Sequence, residues 1–226
     1  MAGQKGLEHG VYGMKWERAR SEEQKAERIA EIVAATERLY KKHSFEEITF
    51  VAIAEEADFT RSNLYKYFRS KEEIFLEFAK HDIILWRKSL ERAFKKEKTY
   101  KTDRFVTIWV DTLVKHKRLL GLISILFADL EKNASFDSFV DFKFATKDEI
   151  ERVTELLCRI FPKLTPDDAS RFIYLQISAA VGLYQMTDYS EIQLRAFEHP
   201  ELKQFKVDFK PLFKEAVEYL IKGLLE

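Results

Sequence analysis

The 226-residue chain is 46% hydrophobic and 34% charged, which is enough apolar material for a sizeable core in one large domain or two small ones. Its 38 basic and 38 acidic residues cancel, so any sign of a nucleic-acid partner must be local. Seven Gly, four of them in the first thirteen residues, and four Pro are too few for the turns of an all-β protein, and they leave no glycine-rich phosphate loop in the body of the chain.

The single cysteine, Cys158, excludes an intrachain disulfide and fits a reducing compartment. The N-terminus lacks the apolar stretch of a secretory signal, and the longest apolar run, residues 119–128, is half a membrane span. A cytoplasmic, all-α protein without a membrane partner is expected.

Residues 1–20 are glycine-spaced and lack periodicity, so they read as a flexible tail. From Ser21, an expected N-cap, Ile29, Ile32, Val33, Thr36, Leu39 and Tyr40 recur at helical spacing, and the first helix ends near His43-Ser44. Two short helices follow. Thr49 caps the first, with Ile48 and Ile53 as a hydrophobic staple. Asp58 breaks it, and Thr60 caps the second, which runs to about Tyr67. Ser70-x-x-Glu73 is a capping box for the next helix.

Residues 49–67 thus form a helix-turn-helix, whose second helix can enter the major groove. Residues 46–58 hold five acids and no base; residues 60–71, TRSNLYKYFRSK, hold Arg61, Lys66, Arg69 and Lys71 and no acid. Arg61, Ser62 and Asn63 open the recognition helix, the end that faces base edges, where Arg pairs with guanine and Asn with adenine. Tyr65, Lys66 and Tyr67 suit phosphates and thymine methyls, and Thr60, Lys71 and Thr49 stand at helix starts, with Lys71 and Thr49 as phosphate contacts.

This run resembles the N-terminal domain of the tetracycline-repressor (TetR) family of bacterial transcription regulators. The carrying residues are Ile32, Ala35, Leu39, Phe45, Thr49, Ile53-Ala54, Ala57, Thr60, Leu64-Tyr65, Tyr67-Phe68 and Lys71-Glu72. The resemblance implies a homodimeric, ligand-responsive repressor that binds a near-palindromic DNA operator. Four positions depart from the family pattern: Asp58 replaces the usual turn Gly, Phe59 a small aliphatic, Ser44 a common Gly, and Val51 an often polar residue.

Beyond Lys71 longer helices are expected over about 71–97, 103–117, 119–131, 136–161, 166–185 and 208–225, giving about nine in all, with room for an additional short one near 191–197 in the looser connection 186–207. The domains read as 21–70, DNA-binding, and 71–226, effector-binding and dimerising. Trp86, Phe105, Trp109, Phe127, Phe139 and Tyr174 are candidate walls of an apolar effector cavity, with Gln176 as its polar anchor. The effector expected is small and largely apolar. Two helical stripes are candidates for the dimer interface: Ile173, Ile177, Ala180, Val181 and Tyr184, then Phe213, Val217, Leu220, Ile221 and Leu224.

The five histidines (His9, His43, His81, His116, His199) show no metal-ligand spacing, Asp167-Asp168 reads as a helix start, and no cofactor is expected. A ligand carrier without DNA binding, or a helical-bundle enzyme, remains as an alternative. The carrier has no use for the basic recognition helix, and the enzyme needs clustered carboxylates or Glu/His pairs.

Overall fold

The structure is a computed structural model that describes the backbone of residues 8–97 and 99–226, and the side chains from Glu22 onward except that of Lys98. The chain divides into two compact units between Phe78 and Ala79, inside a continuous helix rather than at the expected 70/71 boundary. Every regular element among the described residues is helical.

The first unit is built from α1 (Glu8–Tyr40), α2 (Phe50–Glu56), α3 (Arg61–Leu64) and the start of α4 (Lys71–Ala93). Ser21, expected to open the first helix, lies inside α1. Residues 14–20 contain neither Gly nor Pro and are mostly good helix formers, so a residue able to cap does not end the helix before it. Residues 1–7 of the expected tail lie outside the described residues.

Ile32, Ala35, Phe45, Ile48, Ile53, Ala54, Leu64, Phe68 and Phe75 are all buried in this unit. Phe75 meets Tyr40 and Phe45 edge-on, with ring centroids 5.4 and 5.0 Å apart. Both staple residues, Ile48 and Ile53, are buried. Arg38 of α1 closes the far end of α2: its Nη2 donates to the Glu56 carbonyl at 2.9 Å, and its Nε pairs with the Glu56 carboxylate. A cation at a helix C-terminus meets the negative end of the helix dipole. The Glu56 carboxyl is accordingly held below its ordinary range by this hydrogen bond.

The second unit contains the rest of α4, α5 (Thr102–Lys115), α6 (Lys117–Ile125), α7 (Glu131–Asn133), α8 (Phe136–Ile160), α9 (Pro166–Thr187), α10 (Glu191–Ala196) and α11 (Phe209–Leu225). A π-helical turn, Leu126–Leu130, joins α6 to α7, where one uninterrupted helix is expected from the sequence. Thr165 and Asp168 form a reciprocal capping box with Pro166 at the first helical position, and Ser190 with Gln193 forms another.

Helix α11 packs on α9 and α5, and α9 also receives α6 and α8. The core between them holds Phe105, Trp109, Phe172, Phe213, Val217 and Ile221. Cys158 is half-buried, and burial pushes its thiol up. His81 is exposed, while the adjacent Asp82 is buried and accepts two hydrogen bonds from Arg118 at 2.7 and 2.6 Å.

The expected dimer stripes face inward. Ile173, Ala180, Phe213, Val217 and Ile221 are buried in the chain's own core, and Ile177, Val181, Tyr184, Leu220 and Leu224 are partly buried against it. An apolar stripe at helical spacing satisfies the monomer core first. The outward face of α9 lies half a turn away, at Tyr174, Leu175, Ser178, Gly182 and Met186, all exposed. The outward face of α11 is charged, with Lys214, Glu215, Glu218 and Lys222.

Candidate nucleic-acid interface

Two caps and one left-handed residue shape the helix-turn-helix. Thr49 Oγ1 accepts from the Ala52 amide at 3.1 Å, and Thr60 Oγ1 accepts from the Asn63 amide at 3.2 Å. Between them Asp58 adopts φ 60°, the single positive φ among the described residues. The family's usual Gly at this turn is explained by that geometry, which Asp tolerates better than most residues. The turn is closed by the Phe59 amide donating to the Ala54 carbonyl at 2.8 Å.

Helix α3 is a single turn held by what it buries. Leu64 and Phe68 sit in the core, and Arg61, Ser62, Asn63, Tyr65, Lys66 and Arg69 are left exposed, with Tyr67 half-buried. Thr49 and Thr60 are also exposed, with the cap geometry given above. The structure thus gathers eight of the nine expected DNA-contacting residues on accessible backbone or side-chain positions around one short element.

Tyr65 is propped from behind by Phe50, with ring centroids 4.7 Å apart. Arg61 in turn rests on Tyr65: its Nη2 donates to the phenol oxygen at 3.2 Å and its guanidinium carbon lies 5.6 Å from the ring centroid. Phe50, Tyr65 and Arg61 form a ladder that aims a guanidinium outward. Tyr67 packs edge-on to Phe59 at 6.0 Å. Lys25 and Arg28 of α1 share an open polar groove with Lys66 and Tyr67, together with Glu27 and Glu31, and Arg28 is paired with Glu31 at 2.7 Å. Their spacing on α1 and the aromatic Phe50 carried the signal in the sequence, but it takes the fold to place them beside α3.

Lys71 is placed differently from the expectation. Its ammonium donates to the carbonyls of Phe45 at 2.8 Å and Ile48 at 3.0 Å and lies 4.1 Å from the Phe45 ring centroid. Two of its three donors are therefore committed inside the unit. The start of α4 is likewise taken: the Glu73 carboxylate, buried, accepts from the Arg69 amide at 2.7 Å, and Ser70 Oγ accepts from the Glu73 amide at 3.4 Å. A carboxylate already occupies the place expected for a phosphate. The capping box is thus shifted, with Glu73 reaching the Arg69 amide.

The expected effector residues separate into three groups. Phe105 and Trp109 are fully buried, with ring centroids 5.4 Å apart, and Trp86 meets Trp109 edge-on at 5.5 Å. Gln176 is buried beside them and accepts from Trp109 Nε1 at 3.3 Å. Phe139 is half-buried under the Lys143 ammonium, 5.2 Å from its ring centroid. Phe127 and Tyr174 are 50% and 61% exposed, so neither walls the site with Trp109. Both are aromatics on exposed positions, and composition alone does not tell such a position from a buried one. No group of three or more His, Cys, Asp or Glu placed to hold a metal occurs among the described residues. No helix among them is long and apolar enough to cross a membrane.

The short capped helix with its basic exposed face, in a chain that also carries a larger helical unit, defines a helix-turn-helix DNA-binding regulator. Residues 32–78 match the family described as bacterial regulatory proteins, tetR family, and residues 80–226 match the tetracyclin repressor-like C-terminal domain. The chain belongs to the TetR family of transcription regulators.

Among solved structures it is similar to the fatty acid degradation regulator FadR of Bacillus halodurans, with a TM-score of 0.57 and 14% identity, over 87% of this chain and 96% of that one. It is also similar to a protein of unknown function from Rhodococcus sp. RHA1, with a TM-score of 0.52 and 18% identity, over 88% of this chain and 96% of that one. These likenesses are of fold. No curated protein sequence matches the chain.

Proposed function

We propose that the protein is an effector-responsive repressor that binds a near-palindromic operator as a homodimer. The observation that carries this reading is the face of α3, where Arg61, Ser62 and Asn63 stand exposed in a turn anchored by Leu64 and Phe68. Arg61 and Asn63 read base edges; Lys66, Arg69 and Lys25 meet phosphates; Tyr65 and Tyr67 serve as their supports. Thr49, Thr60 and Ser62 add hydroxyl contacts to the backbone of the duplex.

Two copies join through the outward face of α9, where Ser178 and Gly182 are small and Tyr174, Leu175 and Met186 are apolar and exposed. A dimer spaces two recognition helices about one turn of DNA apart. A ligand in the second unit releases the DNA if it binds the DNA-incompetent conformer more tightly. The cytoplasm is the compartment in which such a protein meets its operator.

Selection of binding sites from a random duplex library tests this reading. A two-fold symmetric consensus, bound with steep salt dependence, is the expected result. Enrichment of no sequence above background overturns it.

A further inference from the structure

Two N–H groups in the core of the second unit have no hydrogen-bond partner, Trp86 Nε1 and Gln176 Nε2. Trp86 is 6% exposed and Gln176 1%. They come from α4 and α9 and flank Trp109 of α5, which stands edge-on to Trp86 and donates its own Nε1 to Gln176 Oε1. An indole N–H only donates, so it must meet the amide oxygen. That fixes the Gln176 amino group on the other side, and rotating the amide by half a turn would only exchange one unmet donor for another. Phe105 and Phe172 pack against Trp109, so the surroundings are aromatic. Buried donors without partners are rare in folded proteins and are met by an ordered water or by a bound ligand.

We propose that Trp86 Nε1 and Gln176 Nε2 are polar anchors of the effector site and donate to neutral acceptor oxygens of a largely apolar effector such as an ester or thioester. This deepens the effector-responsive reading above and rests on it. Both protein groups are donors, so the ligand atoms are acceptors. A carboxylate in the same place needs a cation, and Arg87, next to Trp86 in the chain, is already paired with Glu149 and Glu91. The aromatic rings receive the apolar remainder of the ligand.

Equilibrium dialysis of the full chain without DNA tests this, using straight-chain methyl esters, the matching free acids and the matching alkanes. Trp86→Phe keeps an aromatic ring and removes one donor; Gln176→Leu keeps the bulk and removes the other, together with the acceptor of Trp109 Nε1. The wild type is expected to hold the esters most tightly. Each variant should weaken ester binding by about 5- to 10-fold, the worth of one buried hydrogen bond, and leave alkane binding unchanged.

A purely structural role would weaken ester and alkane alike, which overturns the assignment. So does a wild type that prefers the free acids, holds esters no better than alkanes, or retains none of the three. The preference among the three ligand classes is read on the wild type, so it stands even where a variant fails to fold. An ester that binds but leaves operator DNA bound overturns the effector reading and leaves the donor pair standing.

Discussion

The Lys71 ammonium lies 4.1 Å from the Phe45 ring centroid and donates to the Phe45 carbonyl at 2.8 Å and the Ile48 carbonyl at 3.0 Å. It ties the first turn of α4 to the segment that leads into α2. Lys71→Met should therefore destabilise the first unit by about 2 kcal/mol, within the range for hydrogen bonds from a charged donor. DNA binding should weaken for all sequences alike. Urea denaturation checks it; unchanged stability together with a salt slope lowered by about one would return Lys71 to the phosphate role.

Readout should divide between neighbours on α3. Arg61→Ala and Asn63→Ala should each cost about 1–3 kcal/mol of specific binding and spare binding to random duplex. Lys66→Ala should weaken both and reduce the salt slope by about one. Tyr65→Phe keeps the stack on Phe50 but removes the hydroxyl that Arg61 reaches, so it should reproduce part of the Arg61 loss. Competition shifts with operator and random DNA across a salt series distinguish these outcomes; an Arg61→Ala loss equal on both DNAs would refute base readout.

Asp58 stands at φ 60°, where a β-branched residue is strained. Asp58→Val should destabilise the first unit by roughly 1–2 kcal/mol, whereas Asp58→Gly should be neutral or slightly stabilising. Thermal melts of the two variants measure it. Equal melting points would mean the turn relaxes to negative φ.

Much of the fold was legible because caps are local chemistry. Thr49, Thr60 and Thr165 each take the N-cap role their sequence context predicts, since a hydroxyl three residues before a free amide needs no tertiary information. The faces of long helices were not legible in the same way. On α9 the stripe through Ile173 and Ala180 has the same spacing whether it meets α11 of its own chain or a second copy, and only the fold shows that it serves the core. Lys71 misled for a related reason: a basic residue in a basic run reads as solvated, but its long stem lets the ammonium fold back onto carbonyls from residues far behind it in the chain. The exposure of the basic run was readable in part: Arg61, Lys66 and Arg69 stand exposed, as bases without a neighbouring acid predict, while Lys71 turns inward.

Gly182 offers a clean test of the outward face of α9, because a Cβ added there meets nothing within 4 Å. Gly182→Glu should raise helix propensity and stabilise the single chain by up to about 1 kcal/mol. In a two-fold dimer each partner would bring the same charge to the same place. Sedimentation should then show folded monomers and lost operator binding. Dimers that persist would locate the interface elsewhere.

His116, between α5 and α6, is held below its ordinary pKa by burial, an effect that outweighs the opposing attraction of Asp82; Arg118 adds to the lowering. Its ring Nε2 lies 3.0 Å from Ser89 Oγ. The unfolded chain binds the proton more readily than the folded one, so the neutral ring's contribution to stability is present above the unfolded pKa and is lost as pH falls through the folded value. Between about pH 7 and pH 5 the wild type should lose more thermal stability than His116→Gln. Parallel slopes for the two proteins would assign the pH dependence to other groups.

The readout element has a thermal consequence. A helix of one turn, Arg61–Leu64, cannot pay its own nucleation cost in water, so it exists only while Leu64 and Phe68 remain docked and Arg38 holds the end of α2. Sequence discrimination should therefore vanish at the temperature where the smaller unit's core opens, whatever the melting point of the larger one. On warming, a culture would lose operator recognition as a switch rather than a slope, and the setting of that switch lies in the packing of residue 64, on the side of the helix opposite its exposed face.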